Sequence, residues 1–286
     1  MRAASLVGLF LSPALLVAQE APDTASGEPV TAAGSWGVDF ASQYFFRGIQ
    51  QENQGVIAQP WLELGYGLYT DDGALRSLDL TFGLWNSLHD GPTGSANGAM
   101  WYESDFYVGL TGAIGDRVTC GATYTAYHSP NGRFGTVEEL ALSVGFDDDG
   151  LLGETFGGLQ PSLVVAFELS GQADGGADLG TYAQLGIEPG FDAGKVGDLE
   201  LTVSVPVTLG FSLGDYYEFA TGSEDSLGFV DVGVAVSSPL DFMPSRAGAW
   251  DGTLALHFLM LGDNNEALNS GEDSELIVSF GLSTSF

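Results

Sequence analysis

Positive charge is scarce in this chain of 286 residues: seven Lys and Arg, one of them Arg2 near the start, stand against 38 Asp and Glu. Beyond Arg2 the balance is −32, which argues against nucleic acid as a partner, because phosphate binding needs clustered basic side chains. Cysteine is almost absent as well. Lone Cys120 excludes an internal disulfide, and its place among small residues of an alternating segment suits a packing role. After the first residues no apolar run approaches the roughly 18 residues that a membrane-spanning helix needs, so a helical membrane protein is excluded. His89 and His257 lack ligand-like spacing, and zinc is not expected. The acidic stretches Asp147-Asp148-Asp149-Gly150 and Gly262-Asp263-Asn264-Asn265-Glu266 lack the alternating spacing of a calcium loop and read as solvated turns. No cofactor is implied.

What is present divides unevenly. Met1 to Ala18 combines Arg2, a short apolar stretch and small residues near its end, the pattern of a secretory signal peptide. Residues 19–34 mix Pro, Ala, Ser, Thr, Gly and acids without periodicity and read as a flexible periplasmic linker. The remainder, 35–286, carries about twelve alternating segments of about ten residues each. Their apolar sides include Trp36-Val38-Phe40, Leu62-Leu64-Tyr66-Leu68, Leu140-Leu142-Val144-Phe146 and Leu276-Val278-Phe280-Leu282. A soluble sandwich would alternate too, but its strands would be shorter and its polar face richer in Lys. Aromatic residues also gather near segment ends (Trp36, Tyr44, Phe45, Phe46, Tyr69, Trp101, Tyr102, Tyr217, Trp250, Phe286), as the two interfacial girdles of a membrane barrel require. The expected fold is all-β: a closed antiparallel transmembrane barrel of about 12 strands with both termini on the periplasmic side. Short and long connections tend to alternate, although Asp147 to Leu159 and Ser238 to Ala249 are long where short ones are expected.

If the apolar sides face lipid, the opposite sides face a lumen. The pore-lining candidates are Asp39, Gln43, Arg47, Glu63, Asp79, Glu103, Asp105, Glu139, Glu168, Glu188, Glu200, Asp231, His257 and Glu275. Small residues such as Gly65, Gly121 and Ser143 stand among them, which leaves space for water, an inserted loop, or both. A wet passage of this kind favours cations; the other reading is a closed plug whose acids satisfy one another, water and Arg47. Arg47 shares parity with Asp39 and Gln43 and is expected at the outer end of strand one, pairing with carboxylates rather than touching a solute. The run Gly214-Asp215-Tyr216-Tyr217-Glu218-Phe219 is aromatic enough to fold inward, or it forms an exposed external loop.

The last strand stops on Phe286 and so resembles the closing strand of bacterial outer-membrane barrels, whose final aromatic residue serves as an assembly signal; Thr284 departs from that pattern. The run Ser42-Gln43-Tyr44-Phe45-Phe46-Arg47-Gly48, followed by Pro60, resembles the opening strand of a family of uncharacterised proteobacterial outer-membrane proteins with a Ser-x-Tyr-x-x-Arg-Gly pattern. That resemblance implies a porin-like barrel in the outer membrane of a Gram-negative bacterium. The acidic excess attracts the divalent ions that bridge lipopolysaccharide, so lipid and lipopolysaccharide are expected partners, with the barrel-assembly machinery engaged through the C-terminal strand; the expected function is passive passage of small hydrophilic solutes, and a non-conducting envelope scaffold is the alternative. His128-Ser129-Pro130-Asn131-Gly132-Arg133 is similar to the His-x-Ser-Asn-Gly-Arg arrangement of outer-membrane phospholipases. Here Ser129 adjoins the histidine and points to the opposite face, so no enzyme is expected.

Overall fold

A computed structural model describes residues 32–95, 99–153, 157–218, 224–244, 246 and 248–286. The expected signal peptide and residues 19–31 of the expected linker lie outside the described residues. Strand β1 starts at Ala32, so Ala32, Ala33 and Gly34 belong to the sheet and not to the linker.

The strands are β1 (Ala32–Ala41), β2 (Tyr44–Phe46), β3 (Ile49–Glu52), β4 (Ile57–Thr70), β5 (Leu75–His89), β6 (Trp101–Ile114), β7 (Val118–His128) and β8 (Val137–Phe146). They continue as β9 (Ser162–Ser170), β10 (Thr181–Ile187), β11 (Gly190–Val196), β12 (Leu199–Ser204), β13 (Val207–Gly214), β14 (Leu227–Pro239), β15 (Ala249–Leu261) and β16 (Ser274–Ser285). Two short helices, α1 (Pro92–Ser95) and α2 (Asp263–Leu268), sit in connections. All but β2 and β3 form one antiparallel sheet that closes on itself.

The wall has twelve strands, because β10 with β11 and β12 with β13 are single strands interrupted at Pro189 and Pro206. Proline lacks the N–H that a central ladder uses. The breaks stay bonded through carbonyls: Val205 N donates to Pro189 O at 3.0 Å and Gly233 N to Pro206 O at 2.8 Å. The first and last strands seal the ring, with β1 and β16 pairing from Ser35 with Ser285 to Ala41 with Ser279. Closure matters physically, since in hydrocarbon each unpaired backbone group of an open edge costs several kcal/mol. The two long links, from Asp147 and from Ser238, do lie at the end that holds the termini, and the strand number is still twelve.

Period-two alternation places apolar side chains outside. Phe40, Leu84, Phe106, Leu142, Phe258 and Phe280 are all exposed, while their sequence neighbours turn inward. Trp36 and Trp250 meet edge to face at 5.4 Å near the end that holds the termini. Half of the expected girdle is elsewhere, however. Tyr44, Phe45, Phe46, Tyr102 and Tyr217 are buried inside the ring. Tyr44, Phe45 and Phe46 are there because the chain leaves the wall after Ala41 and folds β2 and β3 into the lumen as a hairpin, whereas Tyr102 is an inward residue of β6 and Tyr217 lies on the loop after β13.

Glycine on the inner wall makes room for those rings. A Cβ on Gly228 would run into the Tyr217 ring, and one on Gly83 into the Tyr107 ring. Gly228→Ala should therefore displace Tyr217 and cost about 1–3 kcal/mol by overpacking. Urea unfolding of the refolded protein in lipid vesicles checks this, with Gly145→Ala, whose Cβ would meet nothing within 4 Å, as the neutral control.

Candidate functional site

The hairpin β2–β3 fills the half of the lumen distal to the termini. Its turn is Arg47-Gly48, both at positive φ (51° and 81°), between the paired residues Phe46 and Ile49. A two-residue turn with both central residues left-handed matches the strand twist, and glycine takes the second position without a steric cost. The turn delivers Arg47 to the far wall. There its Nη1 and Nη2 donate to Glu139 Oε2 and Oε1 of β8 at 2.6 and 2.7 Å. The guanidinium lies 4.0 Å from the Tyr182 ring centre and 5.0 Å from that of Phe46. Arg47 is only 1 % exposed, and among the described residues it is the only buried Lys or Arg. It is thus not at the outer end of strand one, as its parity implied, but on an inserted turn. Its partner is a carboxylate, in bidentate geometry that a lysine could not reproduce.

Around this pair two apolar clusters close the lumen. One joins Phe45 and Ile49 of the hairpin to Tyr182, Phe229, Leu259 and Ile277 of the wall. Tyr216 and Tyr217 complete it, so the aromatic loop folds inward at these two residues, Phe219 lying outside the described residues: Tyr217 Oη donates to the Arg47 carbonyl at 2.9 Å, and Arg47 Nη1 to Tyr216 Oη at 3.2 Å. The second joins Tyr44 and Phe46 to Ile57, Tyr102, Tyr127 and Val137.

The remaining candidates fall into three groups. In the filled half, Glu103 accepts from Tyr44 Oη at 2.9 Å, and Asp105 is buried two residues along. Glu168 accepts from Ala173 N and Gly180 N at 2.6 and 2.7 Å, tying down its loop. Glu275 accepts from Gln43 Nε2 and Asn269 Nδ2, both at 2.9 Å. Midway, Asp39 accepts from Trp61 Nε1 at 3.1 Å, Glu63 from Tyr107 Oη at 3.0 Å, and Asp231 Oδ2 lies 2.8 Å from His257 Nδ1. Nearer the termini, Asp79 bonds Ser77 at 3.0 Å, and Glu188 is half-buried at the Pro189 break. There the inward residues are small (Gly65, Gly121, Ser143, Gly145, Ser162) and half-buried, so that half of the lumen is accessible. Glu200 departs from its expected place. It stands on the exposed β11–β12 ribbon, past the Thr202–Ser204 segment that pairs with β14, and bonds Lys195 at 2.5 Å.

Sequence reading missed one chain of groups at the hairpin's far edge. Ser87 Oγ lies 2.7 Å from His89 Nε2, His89 Nδ1 2.6 Å from Thr93 Oγ1, and Thr93 Oγ1 donates to Glu52 Oε2 at 2.7 Å. His89 also stacks on Tyr102 at 4.3 Å. Ser87 and His89 are wholly buried, which makes this a strut between hairpin and wall. Burial raises the Glu52 carboxyl, but bonds from Thr93, Gln54 and Asn53 outweigh it and hold the group below its ordinary range. A depressed carboxylate stabilises the fold above its unfolded pKa of about 4.3, and that contribution is lost as pH falls through the lower folded value. The Asn53, Gln54 and Thr93 amides should therefore keep their exchange protection at pH 7 and lose it near pH 3 in hydrogen-exchange measurements.

The site thus defines a closed twelve-stranded barrel with carboxylates among its buried inner residues, filled at one end by its own chain. No family model matches the sequence, and no curated protein matches it either. Among solved structures, an outer-membrane channel from Pseudomonas putida F1 is similar over 93 % of this chain and 99 % of its own, at 15 % identity and a TM-score of 0.46. A bacterial polysaccharide outer-membrane secretin matches over 89 % and 98 %, at 8 % identity and 0.48. The outer-membrane channel DcaP of Acinetobacter baumannii matches over 90 % and 97 %, at 10 % identity and 0.37.

Proposed function

We propose that the protein is a porin-like barrel of a Gram-negative outer membrane, termini toward the periplasm, passing small hydrophilic cations when its hairpin leaves the lumen. The observation that carries this reading is the placement of charge. A ring that is apolar outside holds carboxylates inside, and its only buried Lys or Arg among the described residues, Arg47, sits on a segment that is not part of the wall. With the hairpin in place the passage is shut; with it displaced, Glu139 and its neighbours face water and favour cations. The surroundings fit the same reading: lipid against the outer face, lipopolysaccharide and its divalent ions against the acidic loops, and the assembly machinery at β16. No reaction is assigned to the buried Ser87–His89 strut.

Single-channel recording in planar bilayers under a salt gradient tests the proposal. Brief cation-selective openings are expected. Glu63→Gln with Glu188→Gln should move the reversal potential toward zero, since both carboxylates border the accessible half. A preference for anions would refute the reading. The packed aromatic clusters favour a second one, a barrel that never conducts and serves as an envelope scaffold. It would be supported if current stayed absent even after removal of the hairpin.

A further inference from the structure

The departure of the chain from the wall after Ala41 leaves a notch on the barrel's outer face. Above that point β16 continues to Ser274 while β4 begins only at Ile57, so no strand lies between them. The notch is an open groove of about 310 Å³, lined mainly by the apolar Phe40, Ala41, Val56, Ile57, Val278 and Phe280, with Ser42, Gly55 and Ser279 among them. That volume is at the lower end of the roughly 300–1,000 Å³ usual for small-molecule sites. Its rim is exposed (Val56 54 %, Phe280 49 %, Val278 44 %), whereas Ile57 and Ser279 are almost fully buried. The groove therefore passes from outward-facing to inward-facing positions of the sheet.

A gap in a sheet within hydrocarbon has to satisfy the strand edge it exposes. The two residues that follow β1 do this here. Ser42 N donates to Val278 O at 2.9 Å, the Ser42 hydroxyl accepts from Val278 N at 3.0 Å, and Gln43 Nε2 reaches Leu276 O at 3.4 Å. The edge is thus bonded without a neighbouring strand, and an apolar slot beside it persists.

We infer that this groove binds one acyl chain of a membrane lipid. The occupant follows from continuity: the groove opens directly onto the apolar outer face, and under the proposed membrane placement the only molecules meeting that face in bulk are lipid tails. The inference rests on that placement.

Native mass spectrometry of the protein released from vesicles of phosphatidylethanolamine and phosphatidylglycerol tests it. One lipid per chain should survive a detergent wash that strips the rest. Val56→Trp and Val278→Trp each fill the groove from an exposed position without touching strand pairing. Both should lower that occupancy by about tenfold or more. Equal retention in wild type and both variants would overturn the groove. A control separates the two levels of the argument: brominated lipid should quench the native Trp36 and Trp250 fluorescence. Quenching with equal retention removes only the groove, while no quenching removes the membrane placement and the groove together.

Discussion

Arg47→Ala should lower the unfolding free energy by about 3–5 kcal/mol, the cost of leaving a buried carboxylate without its partner. Glu139 is itself only 1 % exposed and receives both guanidinium bonds, so no water reaches it to compensate while the hairpin stays seated. Releasing the hairpin and wetting the lumen is one way for the variant to relieve that charge. Two measurements should move together, a fall in urea stability and a rise in the frequency of channel openings. The double variant Arg47→Met with Glu139→Leu removes both charges and should recover most of the stability, since apolar replacements of a buried pair are often neutral or better. If the double variant were as unstable as the single one, the hairpin would be held by its aromatic residues and not by the pair.

Replacing Tyr44–Glu52 by a short Gly-Ser linker should have the largest effect on transport. The hairpin supplies Phe45 and Ile49 to one internal cluster and Tyr44 and Phe46 to the other, so its removal empties the core of the filled half. A twelve-stranded ring is wider than the eight-stranded type that wall side chains can fill. Conductance should rise by about tenfold or more over the rare events of the intact protein. The wall should survive, because none of its strand pairings uses the hairpin, whose two strands pair only with each other in a separate sheet. Heat-modifiable migration on gels would confirm that the barrel still forms. A silent but folded barrel would sink the channel reading and leave the scaffold.

The wall was legible in the sequence and its contents were not, for one reason. A wall strand imposes period two over ten or more residues, and runs such as Leu62-Leu64-Tyr66-Leu68 repeat it too often to mislead. Aromatics at a strand end look alike whether they turn to the lipid interface or into the lumen, so Tyr44, Phe45 and Phe46 read as girdle. The signal that separates them is Arg47-Gly48 between Phe46 and Ile49. A left-handed two-residue turn between short β-prone runs is a hairpin of its own, not the outer end of strand one. Glu200 was misplaced by parity alone. Parity gives the side of a strand and not whether a neighbour stands beside it, and the β11–β12 ribbon has already left the wall there.

The Arg47 contacts carry a consequence for how the molecule is made. The guanidinium waits for Glu139, 92 residues downstream, and for Tyr216, 169 residues downstream, while its carbonyl waits for the Tyr217 hydroxyl. Contacts that distant in the chain form late. The seam between β1 and β16 joins residues farther apart still, Ser35 with Ser285, so stoppering and closure of the ring belong to the same late stage of assembly. Any outside trigger that loosens the Tyr216-Tyr217 loop runs the stoppering backward.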